Sequence, residues 1–393
     1  MDRRRLSTIT VLGSTQTLAW ASSYYLPAIL GVPMARELGV SMPMVFAAFS
    51  AALLVSAAVG PWAGRAIDRW GGRPVLVGTN VVFAVGLAAL SQASGPVTLF
   101  AAWIVVGLAM GSGLYEAAFS TLVRLYGRDS RNVITGITLI AGFASTVGWP
   151  LSAWLEASVG WRGACLAWAA MHLVVGLPLN ASLPRSSGDG HVAFSSEGAV
   201  DNDRKGRQSW TAPLLAFVFA ATWFISTAMA AHLPALLQAG GASLAVAVAV
   251  GALVGPAQVA GRLVEFGVLR RVHPLLSARL AALMHPLGAG LFALAGAPVA
   301  AGFALLHGAG NGILTIAKGT LPLVMFGPAG YGHRQGVLMV PARIAQALAP
   351  WLFGLWLDEL GAAALWVSAA IGMAAFVALM MLAPRAAPKT ASA

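Results

Sequence analysis

Long apolar runs separated by short polar breaks set the pattern of the chain. They fall at 8–30, 42–64, 74–93, 97–123, 133–155, 163–183, 209–238, 242–264, 277–295, 299–325, 335–357 and 362–382. Each is close to the ~20 residues that an α-helix needs to cross hydrocarbon. A transmembrane barrel would instead show ~10-residue segments of alternating polarity, and these runs are unbroken. One long polar stretch, 184–208, reads PRSSGDGHVAFSSEGAVDNDRKGRQ. Its Ser, Gly and charge content predicts a linker. It divides six runs from six, so the expected organisation is an N-terminal six-helix bundle over 1–183, a cytoplasmic linker over 184–208 and a C-terminal six-helix bundle over 209–393.

Composition supports this pattern. Hydrophobic residues make up 58% of the 393 positions and charged residues 9%, against about 25% charged in a soluble domain. So little charge cannot cover a water-facing surface, and the solvent for the apolar excess is lipid. The 45 glycines and 21 prolines fall largely inside the runs, where small residues let membrane helices approach closely. The formal charge of +11 reads as basic loops on one face of a bilayer rather than as a nucleic-acid surface. With the N-terminus inside, 20 of the 24 Lys and Arg residues lie on the inner side. Only Arg36 and Arg162 fall in the opposite loops, and Lys318 and Arg343 lie within runs. This asymmetry predicts a multi-pass protein of a bacterial inner membrane with both termini cytoplasmic. Arg3, Arg4 and Arg5 lead into the first run without a convincing cleavage site, so that run reads as a span rather than a signal peptide. Cys165 is the single cysteine and reads as a small packing residue.

The two halves repeat. Tyr25-Leu-Pro27 in the first run matches His232-Leu-Pro234 in the seventh. Gly64-Arg65-Ala-Ile-Asp68 after the second matches Gly261-Arg262-Leu-Val-Glu265 after the eighth. Tyr126-Gly127, Gly136 and Pro150 match Phe326-Gly327, Gly336 and Pro350, each 200 positions on. Parallel repeats related by an axis along the membrane normal are a transporter architecture with the substrate site near the midplane.

Between runs 2 and 3, Gly64, Asp68, Arg69, Gly71 and Arg73 stand in the pattern G-x-x-x-D-R-x-G-x-R. This resembles the loop motif of the major facilitator superfamily, and the resemblance extends over essentially the whole chain. It implies an all-α membrane protein of twelve transmembrane helices in two parallel six-helix repeats. Gly64 permits close helix approach. Asp68 can accept hydrogen bonds from a neighbouring helix N-terminus and pair with an arginine across the interface. The motif reads either as a conformational latch, with Arg262 and Glu265 as the second copy, or as a topogenic basic turn; recurrence of the acid favours the latch. In run 5, Gly142, Gly148 and Pro150 resemble a glycine-proline pattern of antiporters, though Trp149 interrupts it; a packed, slightly kinked helix is the other reading, with Pro350 its counterpart. The arginine that the family often places in span 4 before a glycine is here Trp103, before Gly107, which argues against proton coupling through that position.

Ionisable residues inside a bilayer are expensive and mark functional sites by default. Glu116 in run 4, Lys318 in run 10 and Arg343 in run 11 qualify, and the resemblance places all three near the central path. Glu116 and Lys318 are expected to face each other across a cavity, binding substrate or exchanging partners; a permanent pair between the halves, or snorkelling of Lys318, is the alternative. Arg343 either joins them or reaches lipid phosphates. The formal sum of +1 leans toward a small organic anion such as a monocarboxylate. Tyr24, Tyr25 and His232 read as an outer gate, a substrate contact or an interfacial aromatic belt. Asn311, among Gly308, Gly310 and Gly312, offers a polar contact. His172, His285 and His307 read as packing residues, and no metal-ligand spacing appears.

The expectation is therefore a secondary active transporter working by rocker-switch alternating access. Its expected partners are a small-molecule substrate, a coupling proton or other ion, and the lipid bilayer; it is read as a monomer without cofactor or nucleic acid. No phosphate-binding G-x-x-x-x-G-K-[ST] loop is present for ATP-driven pumping. Paired carboxylates, a His-rich box and a nucleophile elbow are missing as well, which argues against an enzyme. The stretch from Thr138 to Pro150 and the region of Pro341-Ala342-Arg343 resemble facilitators near the monocarboxylate branch and, more faintly, exporters of trivalent arsenic and antimony. Efflux of drugs or metalloids is the alternative function, and a non-transporting sensor a remote one.

Overall fold

In hydrocarbon every backbone N–H and C=O must bond within its own segment, so runs of this length form helices. The computed structural model describes residues 3–185 and 202–383 and contains no strand among them. The N-terminal half is built from α1 (Arg3–Ala21), α2 (Leu26–Leu38), α3 (Met42–Trp70), α4 (Gly72–Ser91), α5 (Pro96–Gly113), α6 (Tyr115–Tyr126), α7 (Arg131–Ala141), α8 (Ala144–Met171) and α9 (Leu177–Ala181). The C-terminal half is built from α10 (Asn202–Ala239), α11 (Leu244–Gly267), α12 (Pro274–Ala295), α13 (Ala300–Phe326), α14 (Tyr331–Leu360) and α15 (Ala364–Met381). These fifteen helices make the twelve crossings that the apolar runs predict. Most of the stretch 184–208 lies outside the described residues, and 202–208 already belongs to α10.

The expected continuous spans 1, 4 and 5 are each broken. Span 1 breaks between α1 and α2, where Ser22 and Ser23 turn their hydroxyls back to the carbonyls of Leu18 and Ala19 at 2.8 and 2.5 Å and Pro27 enters the next first turn. Such side-chain bonds compete with the helix ladder, and proline suits the first turn of a helix, where its missing N–H leaves no bond unmade. Span 4 breaks at Leu114, which is extended (φ −82°, ψ −165°) after Gly111-Ser112-Gly113. Span 5 turns at Gly142 and Phe143 before α8. Gly160, at φ +70°, makes the turn between spans 5 and 6 inside α8, a conformation open to glycine at little cost.

Within each half, glycines let one helix ride on the backbone of another. A Cβ at Gly107 would strike the Ala52 backbone, and one at Gly312 the Gln258 backbone. These are equivalent contacts, α5 on α3 and α13 on α11, so the repeat seen in sequence is also a repeat of packing. The halves meet where α3 packs along α14 and α7 against α11. At the end away from the arginine-rich loops, Glu37 accepts from Trp161 Nε1 at 2.5 Å and Arg162 Nε at 2.7 Å. The Arg162 bond, then the Trp161 bond, hold its carboxyl below the ordinary carboxylate range.

Gly107→Val and Gly312→Val should each lower the thermal unfolding temperature of the purified protein by several degrees, because overpacking a helix contact costs about 1–3 kcal/mol. Gly78→Val, where a Cβ meets nothing within 4 Å, should not. Fluorescence-monitored melting in detergent makes the comparison.

Candidate functional site

The break at Leu114 builds the centre of the site. It starts a new helix at Tyr115 and places Glu116 in the first turn of α6, where the positive end of the helix dipole favours a carboxylate. Glu116 Oε2 accepts from Arg343 Nη2 at 2.8 Å. Arg343 Nη1 donates to Gln346 Oε1, also at 2.8 Å. The two charged side chains are 14% and 4% exposed, so this is a buried ion pair joining the N-terminal half to the C-terminal half. A small cavity lined by Ser56, Gly60, Gly111, Gly336 and the pair itself lies beside it.

Lys318 projects from α13 and is 4% exposed. Its Nζ lies 4.1 Å from the centroid of the Trp223 ring. Among the described residues no carboxylate oxygen comes within 4 Å of that ammonium. Glu116 is ion-paired with Arg343 rather than with Lys318. Arg343 is not at the headgroups: it lies twelve residues into α14, about 18 Å along the axis from Tyr331.

Aromatic rings surround these charges. Trp20 of α1 stacks on Trp223 of α10 with centroids 6.2 Å apart and planes within 6°. Tyr115 and Tyr24 pack on Trp20 at 5.0 and 5.2 Å, and Arg343 lies 5.4 Å from the Trp223 centroid. The indole N–H groups of both Trp20 and Trp223 are buried without an acceptor among the described residues. Neither tryptophan stood out in the sequence, since an indole within an apolar run gives no sign of which way it faces. Gln346 was hidden in the same way.

The remaining candidates divide. The Tyr24 hydroxyl lies 3.5 Å from Thr227 Oγ1 of the other half, and Tyr25 packs edge-on against Tyr24 and Trp149. His232 Nε2 donates to the Pro350 carbonyl at 2.7 Å, tying α10 to α14 within one half. Asn311 donates to Ser226 Oγ at 3.0 Å and lines a cavity inside the C-terminal bundle with His285 and His307, whose Nδ1 atoms are 3.0 Å apart. His172 bridges Ser22 and Asn80 in the N-terminal bundle.

At the arginine-rich end two contacts close the gap between halves. Asp68 at the end of α3 accepts from the backbone N–H of Gly332 and His333 at 2.9 and 2.8 Å, capping the start of α14. Gly64 makes this approach possible, because a Cβ there would collide with the Gly332 carbonyl. Gly71, at φ +86°, ends α3, and Arg73 stands in the first turn of α4. Arg69 lies over Trp70 in its own half, while Arg65 Nε donates to His333 Nδ1 at 3.1 Å. The pseudo-symmetric contact pairs Glu265 at the end of α11 with Arg131 at the start of α7, at 2.8 Å. Arg262 Nη1 reaches the Thr138 carbonyl at 3.1 Å, in space that a Cβ at Gly142 would fill. Gly148 packs on Ala21, and Pro150 lies inside α8. The arginine expected to pair across the interface therefore belongs to Glu265; Asp68 binds backbone instead.

A two-bundle membrane fold with a central ionic site and paired end contacts defines the class, and residues 12–317 match the Major Facilitator Superfamily. The chain belongs to that superfamily and is a multi-pass membrane transporter. A relative from Thermoproteus tenax, described as an uncharacterized 38 kDa protein in a 23S RNA operon, is 32% identical over 154 residues. That match spans 39% of this chain and 40% of the relative. Among solved structures, the E. coli fucose:proton symporter FucP in its outward conformation aligns at 14% identity over 96% of this chain and 99% of its own, with a TM-score of 0.74. The human organic anion transporter MFSD10 aligns at 16% identity over 96% and 100%, with a TM-score of 0.70. The proton:xylose symporter XylE aligns at 14% identity over 95% and 94%, also at 0.70. At these identities the likeness is one of fold.

Asp68→Ala should open the arginine-rich end. Losing charge-assisted bonds worth about 1.5–3 kcal/mol shifts a two-state equilibrium by about tenfold or more. Spin labels at the exposed Trp70 and Ala329 positions should report a longer, broader distance distribution in D68A than in the parent, and longer still in D68A/E265A.

Proposed function

We propose that this chain is a secondary transporter that moves a small organic anion, such as a monocarboxylate, by rocker-switch alternating access. The observation that carries the reading is Lys318: a buried ammonium without a carboxylate partner among the described residues, beside an acid already neutralised by Arg343. An unpaired buried charge is costly, and an anion entering the site relieves that cost. The orphaned N–H groups of Trp20 and Trp223 point the same way, since they can only donate. The related folds do not choose among substrates, because they include an organic anion transporter and sugar symporters.

Substrate on Lys318 would touch Trp223 of the C-terminal bundle and Trp20 of the N-terminal one, so binding is felt by both. The latches of Asp68 and Glu265 hold the arginine-rich end shut. If those loops are cytoplasmic, as their charge supports, the described state is closed toward the cytoplasm of a bacterial inner membrane. The bundles 1–183 and 209–393 then rock about the site, joined by the linker 184–208. A coupling proton, where one is used, falls to Glu116, whose neutralisation would free Arg343. One chain carries both sides of the site, so a monomer suffices. Cys165 is fully buried in span 6, away from the central charges, which disfavours thiolate capture of arsenic; the two cations disfavour cationic drugs.

Proteoliposomes containing the protein should take up a radiolabelled monocarboxylate saturably. Lys318→Gln should cut the initial rate by about tenfold or more, the loss expected for one charge-assisted contact, without lowering the melting temperature. Equal flux in K318Q, or a preference for cations, would overturn the reading.

A further inference from the structure

The two indoles that meet at the centre come from opposite bundles, Trp20 from α1 and Trp223 from α10, and their planes are parallel within 6°. The other aromatic contacts of Trp20 and Tyr24 are edge-on or tilted, Trp20 with Tyr24 at 68°, Trp20 with Tyr115 at 45° and Tyr24 with Phe49 at 65°, whereas Tyr115 stacks on Phe119 within one half at 11°. A parallel pair bridging two bodies that move apart is a slot for a flat group, because separation by about one ring thickness keeps both faces available for offset stacking. Lys318 Nζ stands 4.1 Å from the centroid of one of those faces. A carboxylate bonded to that ammonium therefore has its attached carbon skeleton at the Trp223 ring. Both indole N–H groups are buried and without acceptors among the described residues; they lie in the ring planes, at the edges of the pair, while its faces offer flat apolar surface.

We propose that the substrate is an aromatic monocarboxylate, with its carboxylate on Lys318 and its ring stacked between Trp20 and Trp223. This rests on the organic-anion reading and narrows it. A planar arene carrying a carboxylate satisfies the ammonium and fills the slot at once. A short aliphatic acid satisfies only the ammonium. A saturated ring of the same size is too thick to lie flat between parallel indoles. A neutral arene leaves Lys318 unpaired. The stacked ligand would also link the bundles through their own aromatic faces, in place of the direct Trp20–Trp223 contact.

The test is equilibrium binding to the purified full chain in lipid nanodiscs, with benzoate, cyclohexanecarboxylate, lactate and benzyl alcohol as probes. Benzoate should bind about tenfold tighter than cyclohexanecarboxylate, the gain expected for ring stacking, and benzyl alcohol should bind least. Trp223→Leu should collapse the benzoate-to-cyclohexanecarboxylate ratio toward one. Trp223→Phe, which keeps a ring and is the safer substitution for folding, should preserve most of it. Lactate or cyclohexanecarboxylate binding as tightly as benzoate would overturn the aromatic inference and leave the anion reading standing. Binding of benzyl alcohol but of no carboxylate would overturn both.

Discussion

The ion pair between Glu116 and Arg343 is the constraint on which the rest of the molecule turns. A guanidinium more than three turns inside a membrane helix is costly against hydrocarbon alone. Its partner comes from the other bundle, at 2.8 Å, so the electrostatics of the centre are settled only when the halves are together. The break in span 4 at Leu114 exists in physical terms to make this possible. It trades one turn of helix for a helix start, and the carboxylate sits at its favourable end. With that acid committed, Lys318 is left as the charge that defines what the site lacks.

Backbone contact would supply the rigidity that the proposed rocking mechanism needs. Gly107 and Gly312 lock equivalent helices within each bundle, whereas Gly64 and Gly336 bring α3 and α14 together between bundles. The first kind of contact buries helix on helix permanently. The second kind is bonded by Asp68 at the arginine-rich end and by Ser50 farther along, and Glu265 makes the counterpart contact between α11 and α7. These two acids use different chemistry at pseudo-symmetric places: one caps a helix N-terminus, the other holds an arginine. The polar contacts between halves gather at the arginine-rich end, with Ser50 to the Ala347 carbonyl and Tyr24 near Thr227 farther along.

The architecture was legible because hydrophobic run length and arginine placement are properties of whole segments. Span count, duplication and the superfamily all followed from them, and the loop from Gly64 to Arg73 named the family. The site was legible only in part. Glu116, Lys318 and Arg343 stood out because charge is rare in lipid, but their pairing was not, because the pairing depends on a helix break that a continuous apolar run conceals. Trp20 and Trp223 could not be singled out, since one indole in an apolar run is like another until its face is known. The partner of His232 was hidden for a similar reason: its ring turns to the Pro350 carbonyl within its own bundle.

In the proposed mechanism Glu116 and Arg343 cancel one another, and Lys318 alone supplies the charge that binds the anion. Carboxylate affinity of the doubly neutral variant E116Q/R343Q tests this most directly, measured beside K318Q at the same ionic strength. E116Q/R343Q should retain monocarboxylate binding within a few-fold of the parent, while K318Q should lose it. Loss of binding in the double variant with retention in K318Q would contradict it.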